Sequence, residues 1–177
     1  ILLPNNKYHR ENLIRENIHP SKIFCTGNTT FEAMREFEPM INDSDILTKL
    51  SLSSKEYILV TAHRSENVDN HENLHKIIKA MGMIADRFKM EVIYPMHPRT
   101  KSKLQDDDIP TNVRIMAPLG FYDFNHLLKE SYCVVSDSGT AAEEGLFYKV
   151  PNVSLRMATE RPETVESGAT IVSGMDI

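Results

Sequence analysis

Val134-Val135-Ser136-Asp137-Ser138-Gly139-Thr140-Ala141-Ala142-Glu143-Glu144 joins an apolar run to a small-residue turn, and then to a segment rich in hydroxyls and carboxylates. A strand, a turn and a helix in that order suit a nucleotide. Turn amides and a helix N-terminus can face a diphosphate, and a carboxylate one turn along can accept a ribose diol. Ser138 and Gly139 are the candidate phosphate contacts, and Glu144 the candidate ribose contact. Each has a plainer explanation. Thr140 followed by Glu143 is also the pattern of a capping box, with Thr140 as cap and Glu143 reaching back. Glu144 also fits as an acidic first-turn residue complementing the helix dipole, worth roughly 0.3 to 1 kcal/mol. The spacing leaves both readings open.

Three further polar groups follow apolar runs. His63-Arg64 follows Tyr57-Ile58-Leu59-Val60-Thr61 after one alanine, Ala62. A histidine there can donate to a diphosphate or move a proton near neutral pH, and an arginine can fork onto phosphate oxygens. The alternative is a histidine bonded to a loop carbonyl beside a surface arginine. His97-Pro98-Arg99 after Val92-Ile93-Tyr94-Pro95 has the same two readings. Thr159-Glu160-Arg161-Pro162-Glu163 either pairs its own charges at the surface or delivers Arg161 to an anion beside the Ser138 turn. His71, His75 and His126 read as structural or solvated. No His-x-x-x-His or Cys-x-x-Cys pair stands in a setting that suits a metal, so no metal site is expected. Ser138 is not expected to be a nucleophile, because the elbow glycine two residues earlier is replaced by Ser136.

The elements that must position these groups alternate. Short strands are expected at 57–61, 92–95, 113–116, 132–136, 152–155 and 169–172. Between them run a helix carrying Leu74, Ile77, Ile78, Met81, Ile84, Ala85 and Phe88, a short helix with Phe124, Leu127 and Leu128 on one face, and a helix over 140–148. Before these, 1–4 and 22–26 read as strand pieces, and 8–16 and 30–37 as helices. The stretch 38–55 is polar and irregular, and Asp106-Asp107-Asp108 reads as an acidic turn. Alternating strands and helices predict an α/β fold, a Rossmann-like parallel sheet with helices on both faces. Ligands of such sheets lie outside the carboxyl ends of the strands. The loops holding His63-Arg64, His97-Arg99 and Ser138-Gly139 are therefore expected to converge on one edge.

Bulk properties bound the role. The chain has 177 residues, 41% of them hydrophobic, with a net charge of −5 and no concentrated basic face, so a nucleic-acid partner is not expected. No apolar run approaches the roughly 20 residues of a spanning helix, so no membrane partner is expected either. Cys25 and Cys133 lie in apolar runs and read as buried free thiols of a reducing cytoplasm. No secretory signal is evident, and both ends read as cuts through a longer protein.

In order along the chain, Val60-Thr61-Ala62-His63-Arg64-x-Glu66-Asn67, Tyr94-Pro95-x-His97-Pro98, Asp137-Ser138-Gly139 with Glu143-Glu144, and Thr159-Glu160-Arg161-Pro162-Glu163 with Gly168 resemble the non-hydrolysing UDP-N-acetylglucosamine 2-epimerases. Arg10-Glu11-Asn12-Leu13 and Thr26-Gly27-Asn28-Thr29 resemble the segment where that family's first domain hands over to its second. The resemblance implies one half of a GT-B two-domain architecture. Residues 1–37 would be a remnant of the first domain and the interdomain segment, 38–56 a linker, and 57–177 the C-terminal UDP-binding domain, truncated at its end. It further implies elimination and re-addition of UDP while carbon 2 of the sugar is inverted, for surface polysaccharide synthesis, without a cofactor. Ser138, Gly139 and Arg161 would grip the diphosphate, Glu144 the ribose, and Phe124 the uracil pocket. His63 would lie beside the diphosphate as the catalytic residue of this half. Arg64 and His97 would touch a second, activating UDP-N-acetylglucosamine. The acid and base carboxylates would belong to the absent first domain, leaving this piece inactive alone, and the full-length protein would be a cytoplasmic homodimer. Thr140 and Ala142 replace a glycine and a glutamine of the family run, and Ser65 a basic residue. The sugar thus stays open to a related UDP-acetamido-deoxysugar, and a GT-B glycosyltransferase domain is the competing reading.

Overall fold

The computed structural model describes residues 1–105 and 108–174. The chain divides into two compact units, Ile1–Glu38 and Pro39–Ile177. In the first, α1 (Lys7–Arg15) is capped by Asn6, whose side chain accepts from the His9 amide, and α2 (Thr29–Glu36) by Asn28, which accepts from the Thr30 amide. The strand pieces expected at 1–4 and 22–26 reduce to a single parallel bridge, Leu2 to Ile23. So short a pairing covers little side-chain surface. Cys25 is accordingly exposed, not buried as its apolar neighbours suggested.

The polar stretch 38–55 folds into two short helices, α3 (Glu38–Asn42) and α4 (Ile46–Leu50), with Ile41 and Ile46 buried. An apolar residue at each helix's inner face outweighs the polar composition around it. Beyond α4 the expected alternation appears: β1 (Tyr57–Thr61), the one-turn α5 (Ser65–Val68), α6 (His71–Phe88), β2 (Glu91–Pro95), α7 (Pro98–Lys101) and β3 (Val113–Met116). Then follow α8 (Phe121–Glu130), β4 (Cys133–Ser136), α9 (Gly139–Tyr148), β5 (Asn152–Ser154), α10 (Pro162–Glu166) and β6 (Thr170–Val172). Of the expected acidic turn, Asp106 and Asp107 lie outside the described residues. No helix among the described residues is long and apolar enough to cross a membrane.

All six strands pair in parallel in the order β3-β2-β1-β4-β5-β6. Because successive strand residues point to opposite faces, β1 divides its side chains between two cores. Ile58 and Val60 join Val92, Tyr94, Val113 and Val135 against the Leu74, Ile77, Ile78, Met81 and Ala85 stripe of α6. Tyr57 and Leu59 join Ile93 and Val134 against Leu127 and Leu128 of α8 and Ile46 of α4. Burial on both faces is the reason the strands read as continuous apolar runs. The two fully buried tyrosines satisfy their hydroxyls on backbone carbonyls, Tyr57 donating to Leu127 and Tyr94 to Ala62. Burial pushes both phenols well above their usual range.

The packing of α6 against the segment before β3 is tight. A Cβ at Gly82 would stand 2.7 Å from Cγ of the Pro110 ring. Helix propensity alone favours Gly82→Ala by about 1 kcal/mol, whereas overpacking costs about 1 to 3 kcal/mol. We expect the steric effect to win, so that chemical denaturation finds Gly82→Ala less stable than the parent by about 1 kcal/mol; a gain would show that the Pro110 loop yields freely.

Candidate functional site

The strand order reverses between β1 and β4. Chain leaving β1 goes to α6 on one face, whereas chain leaving β4 goes to α9 on the other. A crevice opens where two such connections part, at the carboxyl ends of the two strands. Here those ends carry Ala62-His63-Arg64 and Asp137-Ser138-Gly139.

One side chain stitches the two loops together. The Asp137 carboxylate is fully buried and accepts from the backbone amides of His63 (3.1 Å to each oxygen) and Arg64 (2.9 Å). It also accepts from Nδ2 of Asn67 at 2.9 Å. The Asp137 carbonyl in turn accepts from Nε of Arg64 at 2.8 Å. Asn67 is buried because α5 turns it inward, and its Nδ2 lies 3.4 Å from the Leu155 carbonyl beyond β5. Tyr94 of β2 holds Ala62, the residue before His63, through its hydroxyl at 2.6 Å. The His63 ring is left at the mouth, 59% exposed, with Nδ1 3.6 Å from Asp137 Oδ1.

The α9 helix begins one step earlier than its sequence pattern suggests. Ser138, not Thr140, is the cap: its hydroxyl oxygen accepts from the Ala141 amide at 3.4 Å, and the capping box from Thr140 to Glu143 does not form. The Ser138 hydroxyl thus keeps its proton free to donate. The amides of Gly139 and Thr140 precede the first intrahelical bond, so they are orphan donors at the positive end of the helix. A Cβ on Gly139 would lie 3.1 Å from Glu160 Oε1, and the bare backbone lets the Glu160-Arg161 loop approach the turn. Arg161 Nε forms an ion pair with buried Glu143 at 2.6 Å. Although the contact is short, its angle does not make it a hydrogen bond. Glu160 stands between Arg64, at 3.6 Å, and Arg156, at 2.6 Å.

Glu144, the next acid, is buried without a cation and lies beside Asn125 of α8. Burial, with the Glu143 charge adding to it and Asn125 opposing, pushes its carboxyl up to about 7. Phe124 precedes Asn125 on α8 and packs, partly buried, against the core beneath that helix. Thus His63, Arg64, Ser138, Gly139 and Arg161 gather around the crevice, with Glu144 and Phe124 at the α8–α9 side of it. His97 stands apart. It caps α7, accepting from the Arg99 amide at 3.2 Å, while Arg99 forks onto Asp69 at the end of α5. Lys103 also pairs with Asp69 and holds its carboxyl below the usual range. His71 and His75 stack at 3.9 Å on α6 near Asp108, yet no group of three or more potential metal ligands gathers among the described residues.

The sequence pattern does not mark Asp137 as a hub or Asn67 as its partner; Glu143 fits a capping pattern and is instead the ion-pair partner of Arg161. Their signal lies in the sequence: an acid directly after an apolar strand end must find donors, and Asn67 sits in the segment that follows His63-Arg64.

The Glu144 environment makes a prediction. A glutamate with a folded pKa raised from 4.5 to about 7 binds its proton more tightly in the folded chain than in the unfolded one. Stability is therefore lost as pH rises between those values and stays low above them, by roughly 2 to 3 kcal/mol. Glu144→Gln should match the parent near pH 4.5 and unfold at higher denaturant at pH 8. Parallel stability curves across that range would contradict the buried, unpaired carboxyl.

Comparison with known proteins identifies the family. The family model described as UDP-N-acetylglucosamine 2-epimerase matches residues 1–177. The UDP-N-acetylglucosamine 2-epimerase of Methanocaldococcus jannaschii is 37% identical over 174 residues, which cover 93% of this chain and 48% of that protein. The Bacillus subtilis enzyme of the same name is 32% identical, covering 94% of this chain and 44% of its own. Among solved structures, the M. jannaschii epimerase in complex with UDP-GlcNAc and UDP superposes with a TM-score of 0.85 at 35% identity, over 94% of this chain and 48% of that one. The Neisseria meningitidis epimerase bound to UDP-GlcNAc gives 0.84 at 28% identity, over 94% and 47%. The chain spans about half the length of the curated relatives it matches. With a family match across its whole length and a Rossmann-like sheet that aligns on these structures, the chain belongs to the UDP-N-acetylglucosamine 2-epimerase family.

Proposed function

We propose that this chain is the UDP-binding half of a sugar-nucleotide 2-epimerase, which interconverts UDP-N-acetylglucosamine and UDP-N-acetylmannosamine by eliminating UDP and adding it back. The observation that carries this reading is the set of anion-facing donors at one switch point. These are the orphan amides of Gly139 and Thr140, the Ser138 hydroxyl, and the side chains of His63, Arg64 and Arg161, in a chain whose relatives were solved with UDP and UDP-GlcNAc. A leaving diphosphate gathers negative charge as its bond to the sugar breaks, and preorganised donors around that charge lower the barrier.

Each residue then has a task. The helix start and Ser138 take the β-phosphate side. Arg161 keeps Nε on Glu143 and presents its remaining N–H groups, a guanidinium having five. Glu144, free of any cation, accepts the ribose hydroxyls, and their donation replaces the water it lost on burial. Phe124 and Asn125 bound the neighbouring space on the α8 side, where a uracil ring fits. His63 meets the diphosphate and is the residue of this half that touches the reacting groups. Arg64 and His97 are the contacts to a second UDP-sugar. The carboxylates that move the carbon 2 proton come from the other half of the full-length enzyme. Free thiols at Cys25 and Cys133 support a cytoplasmic setting, and an N-acetylmannosamine donor fits surface polysaccharide synthesis.

Calorimetry tests the site directly. UDP should bind, UMP should bind more weakly, and Glu144→Ala or Arg161→Ala should each lower UDP affinity at least tenfold, about 1.4 kcal/mol. No heat with UDP in a well-folded sample would sink the proposal. In the full-length enzyme, solvent deuterium should enter at carbon 2 of the recovered sugar.

A further inference from the structure

We infer that Asp137 is a positioning residue that fixes the tautomer and direction of His63 and the reach of Arg64; this rests on the nucleotide-site reading above. The buried carboxylate meets donors only: two consecutive backbone amides, those of His63 and Arg64, and the Asn67 amide group. Donors on that side match the acceptor-only oxygens of a carboxylate. Because the carboxylate is fully buried, it cannot itself reach a ligand. Its influence passes through what it holds.

Both polar ends of Asp137 are taken by the same loop. The side chain grips the His63 and Arg64 amides, and the main-chain carbonyl takes Arg64 Nε, so the Arg64 guanidinium is turned with Nη2 toward Glu160. The His63 ring then has one nitrogen near a fixed negative charge, Nδ1 at 3.6 Å from Oδ1, and stands with most of its surface open. A carboxylate on that side favours the proton on Nδ1 and leaves the Nε2 lone pair directed away from it. A histidine side chain free in water prefers the proton on Nε2. Asp137 therefore reverses the intrinsic preference and presents Nε2 as the proton-accepting atom at the mouth, which in the imidazolium form donates to an anion.

Asn67 supplies an internal control. It binds the same carboxylate, and its Nδ2 bonds go to Asp137 and to the Leu155 carbonyl, so removing it loosens the loop without removing the charge beside Nδ1. Nitrogen-15 NMR of the histidine rings, with the His63 signals identified by their loss in His63→Gln, reads the tautomer. In the unaltered protein above the pH of ring protonation we expect the Nδ1–H form. Asp137→Asn should return His63 to the Nε2–H form and weaken UDP binding roughly tenfold, whereas Asn67→Ala should keep Nδ1–H. An Nε2–H ring in the unaltered protein overturns the inference even if Asp137→Asn does not fold. So does an Asp137→Asn protein with unchanged tautomer and UDP affinity, or an Asn67→Ala protein that changes tautomer as Asp137→Asn does, which would make Asp137 a loop staple. Failure of the unaltered protein to bind UDP while its His63 ring is Nδ1–H would instead refute the nucleotide reading.

Discussion

Two adjacent parallel strands, β1 and β4, send their chains to opposite faces of the sheet, and a single buried carboxylate bridges the gap this creates. Without Asp137, the amides of His63 and Arg64 would lose their acceptor, and a donor left unsatisfied costs about 1 to 3 kcal/mol where it is buried. With it, a loop after β1 and a turn after β4 become one rigid unit. The sheet register supports the same junction from below, since Thr61 pairs with Ser136 and the Asp137 amide donates to the Thr61 carbonyl. The site is thus an extension of the strand pairing by side-chain hydrogen bonds.

Neighbouring acids on α9 show how position divides labour. Glu143 faces the loop after β5 and takes Arg161, which locates that guanidinium beside the Ser138 turn. Glu144 faces α8 and has no cation, so burial raises its pKa to about 7. An unpaired buried acid costs stability, and such costs persist where a ligand makes use of the group. The helix ends add their own electrostatics: Ser138 satisfies one amide of α9 and leaves two for an anion.

Much of the fold was legible because its central strands are buried on both faces. Runs such as Tyr57-Ile58-Leu59-Val60 and Cys133-Val134-Val135 leave no alternation to misread, and each of the six expected strands from 57 onward falls within a residue of the observed one at each end. Legibility failed where local pattern and packing disagree. Residues 38–55 look like a polar linker, yet Ile46 packs α4 against the core beneath α8, and Ile41 is buried on α3. The apolar run around Cys25 looks like a strand, but one bridge at Ile23 cannot cover it. The cap of α9 was placed at Thr140 because its box pattern is a local signal, whereas the real start is dictated by where β4 ends and Ser138 must turn.

By itself the sequence determined the α/β alternation, the parallel sheet and the ordered motifs of its family. Those depend on periodicity and residue type, which are local. Tertiary structure alone decided that Asp137 would serve as the junction, that Arg161 would spend Nε on Glu143, that Glu144 would remain unpaired, and that His97 would cap a separate helix. Each of those outcomes is a choice among partners separated by many residues along the chain. Only the strand order that brings β4 beside β1 puts them within reach.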